Sequence, residues 1–293
     1  MKQICILVAA VMLLSLVAGC TVPDESADIA ATTLPVYEFT ARLCQGTGLT
    51  VDRLITESVS CLHDYSLNVR QVRAAESADV IVISGAGLEA FMEDLLQDKN
   101  VIDSSAGIEL TECSELHEHE HGHDHHHHES DSHIWLSPDN AKAMSENICA
   151  GLSREYPQYA DTFAENLEVL CADIDALETY GIRALEDLSC RELVTFHDGF
   201  AYLAQAFHLT ILKAVEEESG SEASAAELKD MILLAREHQL PAIFTEINGS
   251  SSAASVIARE TGIRVFALDM AMSGESWFEA MHHNIDTLKE ALE

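Results

Sequence analysis

The sequence predicts an α/β protein of two similar lobes, each a parallel β-sheet flanked by helices, joined by one long rigid helix. Short apolar runs such as Val80-Ile81-Val82-Ile83 alternate with amphipathic helical segments in both halves of the chain, as in parallel α/β units. Between the halves, apolar residues recur at spacings of three and four over residues 155–188. That periodicity predicts a single connecting helix of about 50 Å.

Strands and helices are predicted in alternation through the first half. The strands are 29–33, 49–55, 80–83 and 101–102, and the helices are 36–46, 67–78, 88–97 and one from Asp139 or Asn140 to Leu152. Ser66 is expected to cap the helix 67–78, because its hydroxyl can accept a hydrogen bond from a backbone N–H of the first turn.

The same alternation restarts in the second half, after the connecting helix. Strands are predicted at 192–196, 209–214, 242–245 and 264–268, and helices at 199–207, 224–238, 252–261 and 277–290. We therefore divide the chain into a signal peptide (1–19), an N-terminal lobe (20–152) containing a histidine-rich loop (117–128), a linking helix (153–189) and a C-terminal lobe (190–293).

The first residues have the pattern of an export signal. Lys2 precedes an apolar run over 4–16, and the small residues Val17-Ala18-Gly19 lead directly into Cys20. This pattern resembles a bacterial lipoprotein signal, in which Cys20 is lipidated and becomes the new N-terminus. A plain signal peptide with a chance cysteine is the alternative. Either reading puts the protein outside the cytoplasmic membrane, and the lipid would anchor it to that membrane.

The charge of the chain limits its partners, and its cysteines limit the kinds of bond and metal site that it can form. The chain has 16 basic and 50 acidic side chains and a formal net charge of −34, which repels nucleic acid and attracts cations. Six cysteines besides Cys5 and Cys20 permit disulfides in 15 connectivities, among which the sequence cannot choose. No C-x-x-C pair occurs, so a thiolate zinc site is not expected.

A histidine-rich run is the most unusual stretch of the chain. Eight histidines fall within twelve residues: His117, His119, His121, His123, His125, His126, His127 and His128. Neutral imidazole is the commonest protein metal ligand and suits zinc, copper and nickel. We interpret the run as a flexible segment that collects metal ions. The alternative is a solvated polar tag or linker without a metal-binding role.

Four further side chains are candidates for one fixed metal site. His63, His197 and Asp269 each follow a predicted strand, and His133 would come from the loop after the histidine-rich run. Ligands of open α/β sheets bind beyond the carboxyl ends of the strands. Two candidates come from each half, so a closed cleft would bring together three imidazoles and a carboxylate, a set that suits tetrahedral zinc.

Two local motifs suggest other chemistry and are set aside. The H-E-x-x-H pattern at His117 and again at His119 needs a helix, which a charge-dense run containing Gly122 does not favour. Gly85-Ala86-Gly87, between a strand and a helix, resembles a dinucleotide fingerprint. An exported protein rarely meets such cofactors, so we interpret it as a tight turn and expect no organic cofactor.

Longer motifs resemble the zinc-binding substrate-binding lipoproteins of bacterial ABC importers, the metal-specific group with a rigid interdomain helix. The matching stretches, in the family's order over nearly the whole chain, are His63-Asp64-Tyr65-Ser66-Leu67, His133-Ile134-Trp135-Leu136-Ser137-Pro138, Phe196-His197-Asp198-Gly199-Phe200-Ala201-Tyr202-Leu203, Phe244-Thr245-Glu246, and Ile257-Ala258-Arg259-Glu260-Thr261-Gly262 leading to Leu268-Asp269. Leu62 and Met270 depart from the residues that relatives often carry there.

The resemblance implies metal ligation by His63, His133, His197 and Asp269, with water or Glu246 as alternatives to Asp269. Manganese-selective relatives usually carry a carboxylate where His197 stands, which favours Zn2+ as the transported ligand. The implied partners are a membrane permease and its ATPase, and we expect a monomer with no enzymatic activity. The rival hypotheses are an exported zinc hydrolase, with Glu246 as general base, and a surface metal buffer or adhesin without a transporter.

Overall fold

The computed structural model of the chain describes residues 27–59, 62, 65–111, 130–214, 224–249 and 252–293. The predicted signal segment with Cys20, the candidate ligand His63 and the histidine-rich loop 117–128 lie outside the described residues. Four cysteines that the structure does describe, Cys44, Cys149, Cys171 and Cys190, are free thiols. None of the helices in the described ranges is long and apolar enough to cross a membrane.

The first lobe is built on a four-stranded parallel sheet. Its elements in chain order are β1 (Ile29–Ala31), α1 (Leu34–Leu43), β2 (Val51–Arg53), α2 (Val69–Ser77), β3 (Val80–Ile83), a 3₁₀ turn (Ala90–Met92), α3 (Glu93–Leu96) and β4 (Val101–Asp103). The strand order is β2-β1-β3-β4, and every pair is parallel.

The first lobe is completed by a 3₁₀ turn (Ile134–Leu136) and α4 (Pro138–Glu155), and a 3₁₀ turn (Pro157–Tyr159) leads into the connecting helix α5 (Ala160–Ala184). The second lobe then repeats the arrangement of the first, with β5 (Glu192–Thr195), α6 (Ala201–Ala206), β6 (Thr210–Ala214), α7 (Ala225–Glu237), β7 (Ala242–Glu246), α8 (Ser252–Thr261), β8 (Arg264–Leu268) and α9 (Trp277–Leu292). The strand order β6-β5-β7-β8 reproduces that of the first sheet, again with parallel pairs. The predicted fold class is confirmed.

Strand direction in the second sheet decides where its functional side chains emerge. His197 follows the end of β5 by two residues, Glu246 is the last residue of β7, and Asp269 directly follows β8. β5, β7 and β8 are neighbours in the sheet and run parallel. All three side chains therefore leave the sheet at the same edge, beyond the carboxyl ends of the strands.

One apolar core runs through both lobes. The same cluster of buried side chains includes Phe39 of α1, Trp135, Leu177 of α5 and Trp277 of α9. A second, smaller cluster lies wholly within the C-terminal half, between its sheet and the helices α7 and α8. Close packing resists sliding of one face over another. The shared core therefore predicts small adjustments between the lobes, without a wide hinge.

Two tryptophans tie the lobes together by hydrogen bonds as well as by packing. The indole Nε1 of Trp135 donates to the backbone oxygen of Met270 at 2.8 Å, and Nε1 of Trp277 donates to the backbone oxygen of Trp135 at 3.0 Å. The Trp277 ring also meets the ring of Phe39 edge-on, with centroids 5.2 Å apart. Met270 is the residue after Asp269, so this network fixes the backbone beside a candidate ligand.

The connecting helix is shorter than the sequence periodicity predicts. The prediction of one helix over 155–188 is wrong at both ends, because α4 continues to Glu155 and the 25-residue α5 begins at Ala160 and ends at Ala184. Pro157 lacks a backbone N–H and disfavours helical backbone at the preceding residue, so Tyr156 leaves the helix with φ −126° and ψ 64°. At 1.5 Å per residue, α5 is about 37 Å long.

Two predicted helix starts are also wrong. Asn68, and not Ser66, caps α2, because its side chain accepts from Gln71 N while the Gln71 side chain accepts from Asn68 N, a reciprocal capping box. Ser137 caps α4 by accepting from Asn140 N, which lets Pro138 occupy the first helical position.

The predicted helix 88–97 is present only as the 3₁₀ turn and the short α3. Gly85, Ala86 and Gly87 all have positive φ, so the chain makes a tight turn after β3. The buried carboxylate of Glu89 accepts hydrogen bonds from the backbone N–H groups of Ser84 and Gly85 at 2.8 and 3.0 Å. These bonds hold the glycine turn as a structural element, in agreement with its interpretation as a tight turn.

Candidate metal centre

His133 is held in one orientation by its own local turn. It is 3% exposed and precedes the 3₁₀ turn Ile134–Leu136. Its backbone N and its ring Nδ1 both donate to Oδ1 of Asp131, at 2.9 and 2.8 Å. A carboxylate can only accept, so Nδ1 carries the hydrogen and Nε2 keeps its lone pair. That lone pair is the one available to a metal ion.

Asp131 is fixed in turn by a network that crosses the chain. The hydroxyl of Tyr202 donates to the backbone oxygen of Asp131 at 3.0 Å and accepts from Thr111 N at 2.9 Å. Asp131 N donates to the backbone oxygen of Thr111 at 2.9 Å. The residues that flank the segment 112–129 are thus bonded to each other, two positions before His133.

His197 approaches His133 from the second lobe. The two Nε2 atoms are 3.5 Å apart, and the ring centroids are 5.2 Å apart with planes at 87°. Two imidazole nitrogens bound to one tetrahedral zinc, each at its usual bond length, would be about 3.3 Å apart. The second ring nitrogen of His197, Nδ1, lies 3.3 Å from Oε1 of Glu246. The pair therefore has the spacing of two ligands of a single ion.

Gly199 makes this approach possible. A Cβ atom added at Gly199 would lie 2.7 Å from Cδ2 of His197, 2.7 Å from Cε of Met270 and 2.9 Å from Cε1 of His133. Cβ atoms do not approach heavy atoms this closely. Any side chain at this position would have to displace one or both imidazoles.

We expect Gly199→Ala to lower zinc affinity about 10- to 100-fold, the range typical of changes just outside the ligands of a metal. Isothermal titration gives the affinity. Gly151→Ala is a matched control, because its Cβ would meet Ile102 in the core at 2.7 Å without touching either imidazole. The control should lose stability and keep its affinity. Equal affinities for the Gly199 variant and the wild type would contradict the steric role.

Asp269 lies at the same edge in a half-buried cleft. The cleft is lined by Val59, Glu246, Ile247, Asn248, Asp269 and Met270. The backbone of Asp269 is clamped by the buried Asn284 side chain through two bonds of 2.7 Å, and Oδ1 accepts from Ala271 N at 2.8 Å. Burial raises the pKa of the Asp269 carboxyl, although the hydrogen bond from Ala271 N acts to lower it.

The structure brings some of the predicted ligands together and not others. His133 and His197 meet, and Asp269 lines the cleft beside Glu246. Within the described ranges, no group of three or more His, Cys, Asp or Glu side chains is arranged to hold an ion. His63 lies outside those ranges, between Leu62, which is fully buried, and Tyr65, whose N–H donates to the backbone oxygen of Leu62 at 3.1 Å.

Three contributors to the site were missed by sequence reasoning. Asp131 stands two residues before His133, and this D-x-H spacing is a local signal that could have identified it. Gly199 lies inside a quoted motif, but only the folded chain shows its contact with both imidazoles. Asn284 is 15 residues from Asp269 in the chain, and no sequence pattern connects the two.

Comparison with known proteins gives one consistent family. Residues 29–291 match the family described as the periplasmic component A of the zinc-uptake complex, ZnuA. The high-affinity zinc uptake system protein ZnuA of Bacillus subtilis is 30% identical, over 97% of this chain and 96% of the relative. The zinc-binding lipoprotein AdcA of Streptococcus pneumoniae (TIGR4) is also 30% identical, over 99% of this chain, which spans only 61% of AdcA.

A solved structure agrees with the fold. The crystal structure of a ZnuA superposes with a TM-score of 0.78 at 26% identity, covering 92% of this chain and all of the other. Two parallel sheets of repeated strand order, a long connecting helix and two converging histidines agree with this match, and the chain belongs to the family of the periplasmic component A of zinc-uptake complexes.

Proposed function

We propose that this protein captures Zn2+ between its two lobes, outside the cytoplasmic membrane, and delivers it to an ABC permease for import. The proposed ligands are His63 and His133 from the first half and His197 and Asp269 from the second. Zinc is cargo in this proposal, and the protein performs no chemical step on it. Three neutral imidazoles and one carboxylate would replace the waters of the ion.

The observation that carries the proposal is the 3.5 Å approach of Nε2 of His133 and Nε2 of His197. These nitrogens come from different lobes and are separated by 64 residues in the chain. Both have their Nδ1 atoms turned toward carboxylates, at 2.8 Å for Asp131 and 3.3 Å for Glu246. Two imidazole lone pairs meeting in this way suit a borderline divalent cation such as zinc.

Two contacts support the remaining ligands. Val59 lines the cleft together with Asp269, so the chain leading to His63 passes beside the candidate site. Oε1 of Glu246 is engaged beside Nδ1 of His197, which favours Asp269 over Glu246 as the fourth ligand. A site closed by four protein ligands leaves no coordination position for a reacting water, which disfavours the exported-hydrolase alternative.

The family and the N-terminal motif support the proposed partners and location. The names of the relatives, a zinc uptake system protein and a zinc-binding lipoprotein, support an extracytoplasmic importer component. We propose a permease and its ATPase as partners, a lipid anchor at Cys20, and a monomeric state. The net charge of −34 would favour encounter with cations.

Titration of residues 20–293 with zinc, after removal of metal with a chelator, tests the function. We expect one tight site together with weaker ones, and metal analysis of protein purified without added metal should find zinc in excess of manganese and nickel. Absence of a tight zinc site, or a tight site that manganese fills in preference to zinc, would refute the proposal.

Deletion of residues 117–128 should lower the number of zinc ions bound and leave one tight site. The eight imidazoles of this run are proposed as weak, exchangeable sites that gather metal. Thr111 and Asp131, which are bonded to each other beside His133, would hold the shortened loop in place. Titration of the deletion variant checks the result, with a glycine-serine replacement of equal length as control. Loss of the tight site in both variants would contradict the collector role.

Zinc affinity should be lower at pH 5.5 than at pH 7.5, because neutral imidazole binds the metal and imidazolium does not. The direction follows because protons compete for the nitrogen lone pairs. Because burial raises the pKa of Asp269, protons compete with zinc for this carboxylate at a higher pH than they would for an ordinary aspartate. Titrations at constant ionic strength measure the effect. An affinity unchanged between pH 7.5 and 5.5 would exclude imidazole ligation.

A further inference from the structure

A buried carboxylate lies behind His133. Asp131 is 2% exposed, and its Oδ1 accepts both hydrogen bonds from His133. Its Oδ2 is buried and has no hydrogen-bond partner among the residues that the structure describes. An ionised carboxyl in such a place is costly unless positive charge lies close to it. A divalent cation on the opposite nitrogen of the same imidazole would supply that charge.

Glu246 occupies the equivalent place behind His197 in the other lobe. Its Oε1 lies 3.3 Å from Nδ1 of His197, and the two side chains are 10% and 17% exposed. The two carboxylates reach their histidines from different places in the chain. Asp131 precedes His133 by two residues, whereas Glu246 lies on β7, the strand next to the one that leads to His197. The two lobes thus reach the same arrangement by unrelated local routes.

This arrangement has a defined chemical consequence. Neutral imidazole carries one hydrogen, and a carboxylate beside Nδ1 holds that hydrogen there, so the lone pair stays on Nε2. Partners of this kind also fix the ring plane and raise the basicity of the ligating nitrogen. In this structure both Nε2 atoms already face each other at 3.5 Å. The two nitrogens are therefore placed to bind a single ion.

We propose that Asp131 and Glu246 are a matched pair of positioning residues, one in each lobe, that hold His133 and His197 in their metal-ready tautomers. The proposal rests on the proposed zinc-binding function and deepens it. It assigns Glu246 the role of orienting the ligand His197, and not that of a metal ligand or of a general base.

The variants Asp131→Asn and Glu246→Gln remove each charge and keep each side chain's size. We expect each to lower zinc affinity about 10- to 100-fold in competition titrations. In the metal-free protein, long-range ¹H–¹⁵N spectra should show the Nδ1–H tautomer at both histidines in the wild type. The partnered histidine should become a mixture of tautomers in each variant. Asp131→Glu, which restores the charge, should recover part of the affinity.

Glu192→Gln is a matched control. Glu192 stands 2.9 Å from Nδ1 of His238, the same kind of pair at a place away from the cleft. This variant should keep the affinity of the wild type, while the His238 tautomer alone changes. Absorption spectra of the Co2+-loaded variants add a readout of coordination. A four-coordinate spectrum should persist in Glu246→Gln.

The outcomes separate this proposal from the proposed function. If the wild type binds no zinc tightly, the function itself fails. If the wild type binds zinc and the two variants match it in affinity and tautomer, the positioning role is overturned. Lowered affinity with unchanged tautomers would overturn it as well, and so would a Co2+ spectrum showing that Glu246→Gln has lost a ligand.

Discussion

Replacing His197 with alanine is expected to weaken zinc binding by about 10²- to 10³-fold. Four-ligand zinc sites bind with about 10–16 kcal/mol, so an average ligand contributes about 2.5–4 kcal/mol, and each 1.4 kcal/mol is a factor of ten. The removed imidazole would also leave Nε2 of His133 without its neighbour at 3.5 Å. Titration against a competing chelator measures affinities in this range.

The matched control for this prediction is His282→Ala. His282 is an exposed histidine of α9 whose ring is tilted against that of Tyr180, with centroids 4.9 Å apart and planes at 57°, on a helix outside the cleft. Its removal should leave the tight site unchanged, because only imidazoles that converge on the ion contribute to the affinity. Undiminished tight binding by the His197 variant, or equal losses in both variants, would refute the ligand assignment.

Trp277→Ala should cost about 3–5 kcal/mol of unfolding free energy, the usual range for removing a large buried aromatic side chain. The side chain is fully buried, bonded to Trp135 and packed on Phe39. Because this residue joins the two lobes in one core, the loss should appear in a single cooperative transition. Urea unfolding of the metal-free protein measures it, since bound zinc would add stability of its own.

Trp277→Phe is the conservative control and should cost about 1–2 kcal/mol, mainly through the lost indole hydrogen bond. This variant also leaves Trp135 as the only tryptophan, since the chain has two. The Trp135 ring centroid is 5.4 Å from that of His133, so its fluorescence should respond to zinc. Separate unfolding of the two lobes, or a loss under about 1 kcal/mol in the alanine variant, would contradict the shared core.

The strands were predictable because their sequence signals are local. The all-apolar run of β3 gives its bounds at Val80–Ile83 as predicted, and β8 is likewise found at Arg264–Leu268. β3 is a short all-apolar run that is largely buried, as is typical of a strand inside a parallel sheet, whereas β8 lies at the edge of its sheet and exposes Arg264 and Val265. The two-lobe architecture followed from the repetition of such runs.

The helix ends were harder to predict because several residues compete for each cap. Ser66 and Asn68 can both accept from a first-turn N–H, and Gln71 decides in favour of Asn68 through the reciprocal bond. The long helix was overextended because apolar periodicity continues across Pro157, whereas the backbone cannot. Periodicity reports which residues face the core and does not report where the backbone breaks.

For the candidate site, the sequence indicated the candidate ligands but not the neighbouring residues that hold those ligands in place. Strand ends made His197 and Asp269 candidate ligands, and the motif added His133 as a third candidate. The carboxylates behind the imidazoles are less visible, because the Glu246–His197 contact depends on β5 and β7 being neighbours in the sheet. The space at Gly199 likewise depends on where three side chains meet after folding.

Anomalous diffraction at the zinc edge from crystals of the zinc-loaded protein tests the central claim most directly. We predict one strong peak between the lobes, at about 2.0–2.1 Å from Nε2 of both His133 and His197. His63 and Asp269 should complete the tetrahedron, with Glu246 behind His197. A principal peak elsewhere on the chain, with His133 and His197 not bound to it, would contradict the claim that both lobes hold a single ion.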